Sequence, residues 1–337
     1  MAYLYIMHME KKVQTKVITS SISKTSYFTA VLIILSLMVH LNTQAQNGNT
    51  LRTEIGLLSG TSNYIGDIEG KYNNPQPFMI DLQTAMSTQV FGAYIRHYLS
   101  PVVAVRVNTI YATISASDKM TTDQSRQNRN LHFRSDIFEV STQTELTIIK
   151  SDLFSKKNPH ESLANSNRAR IDSILNAASR GNTFRLYTFG GVGVIKFNPQ
   201  AEYNGVWHDL QPLGTEGQGI NPGEGGLLVI KKYSLTELVL PIGIGLSYEA
   251  NNGITIGFEF GWRKTFTDYL DDVSGNYADN RKIEAQHGII AAKLANRTQE
   301  ITNNPAILNN YTTGSKRGNP NVKDSYFFSL LSIGYSL

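Results

Sequence analysis

From Gly253 to Phe266 the chain alternates without a break: Ile254, Ile256, Phe258, Phe260 and Trp262 share one phase, and Thr255, Gly257, Glu259, Gly261 and Arg263 share the other. A period of two is the signature of an extended strand with two unlike faces. In a water-soluble sheet the apolar face forms the core and the charged face meets solvent. In a transmembrane barrel the apolar face meets lipid and the charged face is enclosed.

Seven further segments carry the same alternation, 51–60, 88–98, 102–115, 131–149, 183–197, 233–249 and 325–337, which with 253–266 makes eight. A tilted transmembrane strand needs about 9–11 residues, and single-chain bacterial barrels use an even number of strands. The links alternate too. "LSP" and "EANN" are tight turns, whereas 61–87, 116–130, 198–232 and 267–324 are long. Such asymmetry places the long links outside the cell and both termini in the periplasm. One segment breaks the rule: 150–182 falls where a tight periplasmic turn belongs, and its Ile171, Ile174 and Leu175 are helix-spaced. The architecture expected is therefore all-β, an eight-stranded antiparallel transmembrane β-barrel with long extracellular loops and one long periplasmic insert. A secreted soluble β-sandwich is the alternative, and it explains the link asymmetry poorly.

Composition narrows the classes further. Only 17% of residues are charged, against about a quarter in ordinary soluble domains. There are no cysteines, which excludes disulfides, thiol catalysis, cysteine-ligated zinc and a lipobox anchor. The net charge of +4 comes mostly from Lys11, Lys12, Lys16 and Lys24 against Glu10, leaving a near-neutral remainder that does not suit nucleic acid. Those lysines precede the apolar run "YFTAVLIILSLMV" and a polar stretch ending at Ala45, the order of a secretory signal peptide over residues 1–45, with Met9 as an alternative start. The run is shorter than the roughly 20 residues of a spanning helix.

If Ile254, Phe258 and Trp262 face lipid, the opposite phase encloses Glu259 and Arg263. The same rule encloses Arg96, Arg106, Glu139, Glu145, Arg185 and Glu237, four arginines and four glutamates in all. An eight-stranded barrel is only wide enough for side chains to fill, so these groups are expected to form an ion-pair network that plugs the lumen. Pro241 sits inside the sixth strand and is expected to mark a bulge. Gly191 and Gly193 are expected to thin the lumen side of the fifth.

"GTSNYIGDI", "YNGVWHDLQPLGTEGQG" and "GWRKTFTDYLDDVSGNY" resemble the PorG-like outer-membrane barrels of the type IX secretion system of Bacteroidota, and "NLHFRSDIFEVSTQTEL" and "FGGVGVIKFNPQA" fit the same pattern. The similarity runs over most of 52–335, with departures in the 150–182 insert and the 281–323 stretch. The resemblance implies a non-enzymatic role without cofactor, holding a periplasmic ring of a lipoprotein and its partner against the outer membrane. A structural or adhesin-like barrel that binds an outside partner through its long loops is the alternative.

Other candidate sites stand beside simpler readings. Asp268, Asp271, Asp272 and Asp279 suggest calcium, but the spacing is not that of an EF-hand, and solvated loop acids account for it. His208 and Asp209 would suit a hydrolase, yet no nucleophile motif accompanies them. The simpler expectation is that Trp207, His208 and Asp209, with Pro212 and Leu213, pack a loop over the barrel mouth. In the insert, Arg168 and Arg170 flank the apolar Ile171, Ile174 and Leu175, a pattern that could dock a periplasmic partner or belong to a loose polar segment.

Overall fold

Alternation becomes a ring of strands in the computed structural model, which describes residues 52–68, 87–152, 182–221 and 229–337. The signal segment lies outside these residues. So do 153–181, and with them Arg168, Arg170, Ile171, Ile174 and Leu175. The strands are β1 (Thr53–Ile65), β2 (Thr88–Tyr98), β3 (Val103–Ser117), β4 (His132–Asp152), β5 (Thr183–Tyr203), β6 (Val206–Asp209), β7 (Thr236–Glu249), β8 (Ile254–Thr265) and β9 (Ser325–Ser336). Every pairing is antiparallel, in the order β4-β3-β2-β1-β9-β8-β7-β5. A β4–β5 ladder closes the ring, and β6 only extends β5. Of nine strands, eight therefore form a closed barrel without an open edge.

The two phases separate as the pattern demands. Leu57, Phe91, Ile242, Ile256, Phe258, Leu331 and Ile333 stand on the outer wall, with Leu57 63% exposed and Leu331 61%. Thr255, Glu259 and Arg263, one step out of phase in β8, are buried inside. A contiguous apolar belt on this scale is what lipid covers, because leaving it in water costs free energy in proportion to its area. No helix among the described residues is long and apolar enough to cross a membrane.

Pro241 does not mark a bulge. It pairs with Arg263 in an unbroken β7–β8 register. On its other side the β5–β7 ladder skips from Gly193–Val239 to Gly190–Ile242, so the missing N–H interrupts a few pairings without shifting register. The barrel's register shift lies instead in β4, between Thr147 and Ile149 opposite β5. At Gly191 a Cβ would run into the Thr142 carbonyl oxygen, and at Gly193 into Ser141 and the Val140 carbonyl, so the crowding neighbour there is the β4 backbone.

The tight turns after β2 and β7 hold one end of the barrel. At the other end the long connections fold into a lobe containing α1 (Gln124–Arg129), α2 (Leu210–Leu213), α3 (Asn280–His287), α4 (Ile289–Ala295) and α5 (Pro305–Leu308). The 281–323 stretch is thus structured, with Ile283, Ala291, Ala292 and Ala295 packed on Ile220 and Leu213.

Candidate functional site

The lumen is filled in two layers. In the first, Glu145 faces three guanidiniums: Arg185 at 2.7 Å, Arg96 at 3.0 Å and Arg106 at 3.3 Å. Glu259 takes Arg106 in a two-pronged pair and accepts the Tyr187 hydroxyl. Glu54 pairs with Arg96 and accepts from Tyr94 at 2.6 Å and Thr255 at 3.2 Å. Arg96 and Arg106 are direct cross-strand partners. Like charges opposite one another repel, so the three carboxylates between them are what make this register tolerable.

Nearer the lobe, Glu139 stands 3.6 Å from Arg263 and accepts from Tyr326 at 3.0 Å and Ser141 at 2.9 Å. Around and beyond that pair the barrel is apolar, with Leu58, Val90, Ile110, Ile114, Ile137, Ile195, Phe197, Val239 and Phe328 all buried. Ion pairs and this apolar packing together fill the interior among the described residues, as expected of an eight-stranded barrel.

Seven of the eight expected lumen residues come together here. Glu237 does not: it sits at the first turn of β7, half-buried, and makes no ion pair among the described residues. Its phase is right, but its level is the mouth, where water reaches it. Glu54 takes the fourth carboxylate position. It is fully buried in β1, and the phase rule applied to "TEIGLL" reaches it.

The lobe is tied down by two buried arginines. Arg129 forks onto Asp118 at 2.8 and 2.7 Å and donates to the backbone carbonyls of Asp67 and Arg317, joining three connections. Arg317 pairs with Glu216 at 3.0 Å and donates to the Asp272 carbonyl at 2.7 Å, bringing in the fourth. Arg297 adds Glu300, His132 and the Glu202 carbonyl.

Asp268, Asp271 and Asp272 are buried rather than solvated, and they diverge. Asp271 accepts from the backbone N–H groups of Val273 and Ile68. Asp272 accepts from Tyr233 and Thr215. Asp324 accepts from Tyr64 and Leu270 N–H. Asp279 caps α3 through Arg281 N–H. No group of three or more His, Asp or Glu side chains among the described residues is placed to hold a metal ion. Asp271, Asp272 and Asp324 are engaged by backbone N–H groups and hydroxyls, whereas the Asp268 carboxyl is buried without a hydrogen-bond partner among the described residues.

Burial pushes Asp268 up to about 6, and it pushes Asp272 to about 6 despite Arg317 beside it. Burial, followed by repulsion from Asp67 on Asp271 and from Asp271 on Asp324, holds both well above the ordinary carboxyl range. A carboxyl whose folded value exceeds its unfolded one favours folding when protonated, and that advantage fades as pH rises through the folded value. The lobe should therefore be tighter at pH 5 than at pH 8. Protection factors for hydrogen exchange across 267–324, each taken against the intrinsic rate at its own pH, are expected to rise at the lower pH while those of the barrel strands hold steady; equal or higher protection at pH 8 would refute this.

Trp207, His208 and Asp209 do not cover the mouth. They form β6, which hydrogen-bonds to β5 through Gln200–Asp209 and Tyr203–Val206 pairing, with Asn204 and Gly205 at positive φ in a two-residue turn. Asp209 accepts from Asn198 at 2.8 Å and Gln200 at 2.6 Å, a structural use that leaves His208 without a catalytic partner in it. Trp207 lies under the Arg134 guanidinium, 3.9 Å from ring centre. It sits on the outer wall.

A closed barrel with a lipid-facing belt and a sealed lumen defines the class: an eight-stranded β-barrel built to sit in a membrane. Among known families, a domain of unknown function, DUF6089, matches residues 27–161. No curated protein matches the chain. Two crystal structures of Ail, the attachment invasion locus protein of Yersinia pestis, are similar. One, in complex with the heparin analogue sucrose octasulfate, is 8% identical with a TM-score of 0.32 and covers 85% of this chain and 97% of Ail. The other is 9% identical with a TM-score of 0.28, at the same coverage.

Proposed function

We propose that this chain is a non-enzymatic outer-membrane component of the type IX secretion machinery that docks the periplasmic lipoprotein ring and its partner at the outer membrane. The observation that carries the reading is the sealed lumen: a barrel filled by ion pairs and apolar packing acts through its surfaces rather than by conduction. The resemblance of its loops and strands to PorG-like barrels supplies the machine. In this reading the tight turns and both termini face the periplasm, and the 150–182 insert is the docking element.

The test is capture of a tagged protein from outer membranes in mild detergent. The ring lipoprotein and its partner are expected to co-purify, and deleting 156–178 with the barrel still inserted is expected to release them. A clean barrel without these partners would sink the assignment. A structural or adhesin-like role is the second reading, favoured by the lobe, whose four interlocked connections present a fixed surface on the other side of the membrane.

A further inference from the structure

On the outer wall the apolar belt ends, over β3 and β4, at the paired Tyr111 and Phe138, about half exposed. The next outward pairs are Thr113–Asp136 and Ser115–Arg134. Arg134 stands four residues beyond Phe138, roughly 13 Å along the strand and less along the membrane normal because barrel strands tilt. Headgroups occupy about 5–8 Å on each side of the hydrocarbon. With a tilt of about 35–45° that is about 9–11 Å along the normal, so this part of the wall stands at the outer edge of the headgroup layer, within reach of a lipid with a large polar head.

The wall is not flat there. A groove of about 460 Å³ opens between the β2–β3 face, the turn after β3 and the β6 ribbon, its lining including Thr113, Ser115, Lys119, Arg134 and Trp207, with Glu202 and His132 at its β5 and β4 side. Its rim carries two cations. Lys119 is exposed and makes no ion pair among the described residues. Arg134 uses Nε on Gln200 at 3.0 Å and holds its plane over Trp207. Asp136 lies one step toward the belt, engaged by the Thr113 hydroxyl at 2.8 Å. An indole body, strand hydroxyls and two cations converging just above a lipid belt match a ligand with a sugar ring and a phosphate joined to acyl chains.

We infer that this groove binds the phosphate-bearing sugar headgroup of an outer-leaflet glycolipid, with Lys119 and Arg134 on the phosphate and Trp207 beside the sugar. The inference rests on the orientation given under the proposed function, in which the lobe faces outward. Trp207 and Trp262 are the only tryptophans, so in a Trp262→Phe background the emission of Trp207 reports the groove alone.

The assay compares phosphatidylcholine vesicles that contain diphosphoryl lipid A, its dephosphorylated form, or phosphatidylglycerol. Lipid A is expected to shift Trp207 emission, at least about tenfold more effectively than either other lipid or than lipid A acting on K119A/R134Q, because two charge-assisted contacts are lost. Equal response to all three lipids, or an unchanged response of the variant with a heat-modifiable, folded barrel, would overturn the inference. Vesicles carry the lipid in both leaflets, so their outcome does not depend on orientation. Orientation is read separately in intact cells of this cysteine-free protein. Arg281→Cys in the lobe should react with an impermeant maleimide, and Asn251→Cys in the β7–β8 turn should not. The reverse labelling would end the outward-lobe reading while leaving the vesicle result interpretable.

Discussion

Replacing Glu145 by alanine should destabilise the barrel by about 3–5 kcal/mol, the usual cost of removing one partner from a buried ion-pair network. Glu145 is fully buried and lies against Arg96, Arg106 and Arg185 together, so its loss leaves three guanidiniums to share Glu54 and Glu259. Arg185 suffers most, since Glu145 is its one described ion-pair partner, leaving a 3.3 Å hydrogen bond to Ser247 and the faces of Tyr187 and Tyr98. The measurement is the urea midpoint of the detergent-folded barrel, followed by its heat-modifiable mobility. E145A/R185M removes the most exposed of the three orphaned charges and should recover part of the loss. A change below about 1 kcal/mol for E145A would mean that water screens these charges and that the lumen is open.

The barrel was legible in the sequence because lipid and side-chain packing impose a strict period of two on both of its faces. Each expected strand is present, and Glu259 and Arg263 lie inside because Ile254 and Phe258 lie outside. Level along the strand was less legible than phase. Glu237 obeys the phase rule, yet it sits where the lumen opens, whereas Glu54 obeys it one turn from the opposite end and is sealed by Arg96 and Tyr94. Periodicity tells which way a side chain points but carries no depth.

The lobe was largely illegible, and for a physical reason. Its acids are interspersed with Gly, Ser and Asn, the composition of solvated loops, and their burial depends on contacts between connections distant in sequence, such as Arg317 on Glu216 and Tyr64 on Asp324. One local signal was available. Asn204-Gly205 between two β-prone runs is the strongest short-range hairpin cue, and it marks the turn that folds Trp207 back along β5.

Arg129→Met should uncouple the lobe from the barrel. The side chain keeps similar length and can fill its space, but Asp118 is left fully buried with only the Leu131 N–H, at 2.8 Å, for company. Stranding a buried charge costs about 3–5 kcal/mol. That cost cannot spread into the strands, because Arg129 touches the carbonyls of Asp67 and Arg317 and nothing in the lumen network. The expected result is rapid proteolysis within 267–324 while the barrel stays protease-resistant and heat-modifiable. Burial already raises the Asp118 carboxyl, so removing Arg129 should raise it further and let protonation relieve the defect as pH falls. D118N/R129M, with no charge to strand, should be less protease-sensitive than R129M at pH 8 and nearly equal to it at pH 5. If the double variant were as labile as R129M at pH 8, the two carbonyl contacts rather than the buried pair would be what fastens the lobe.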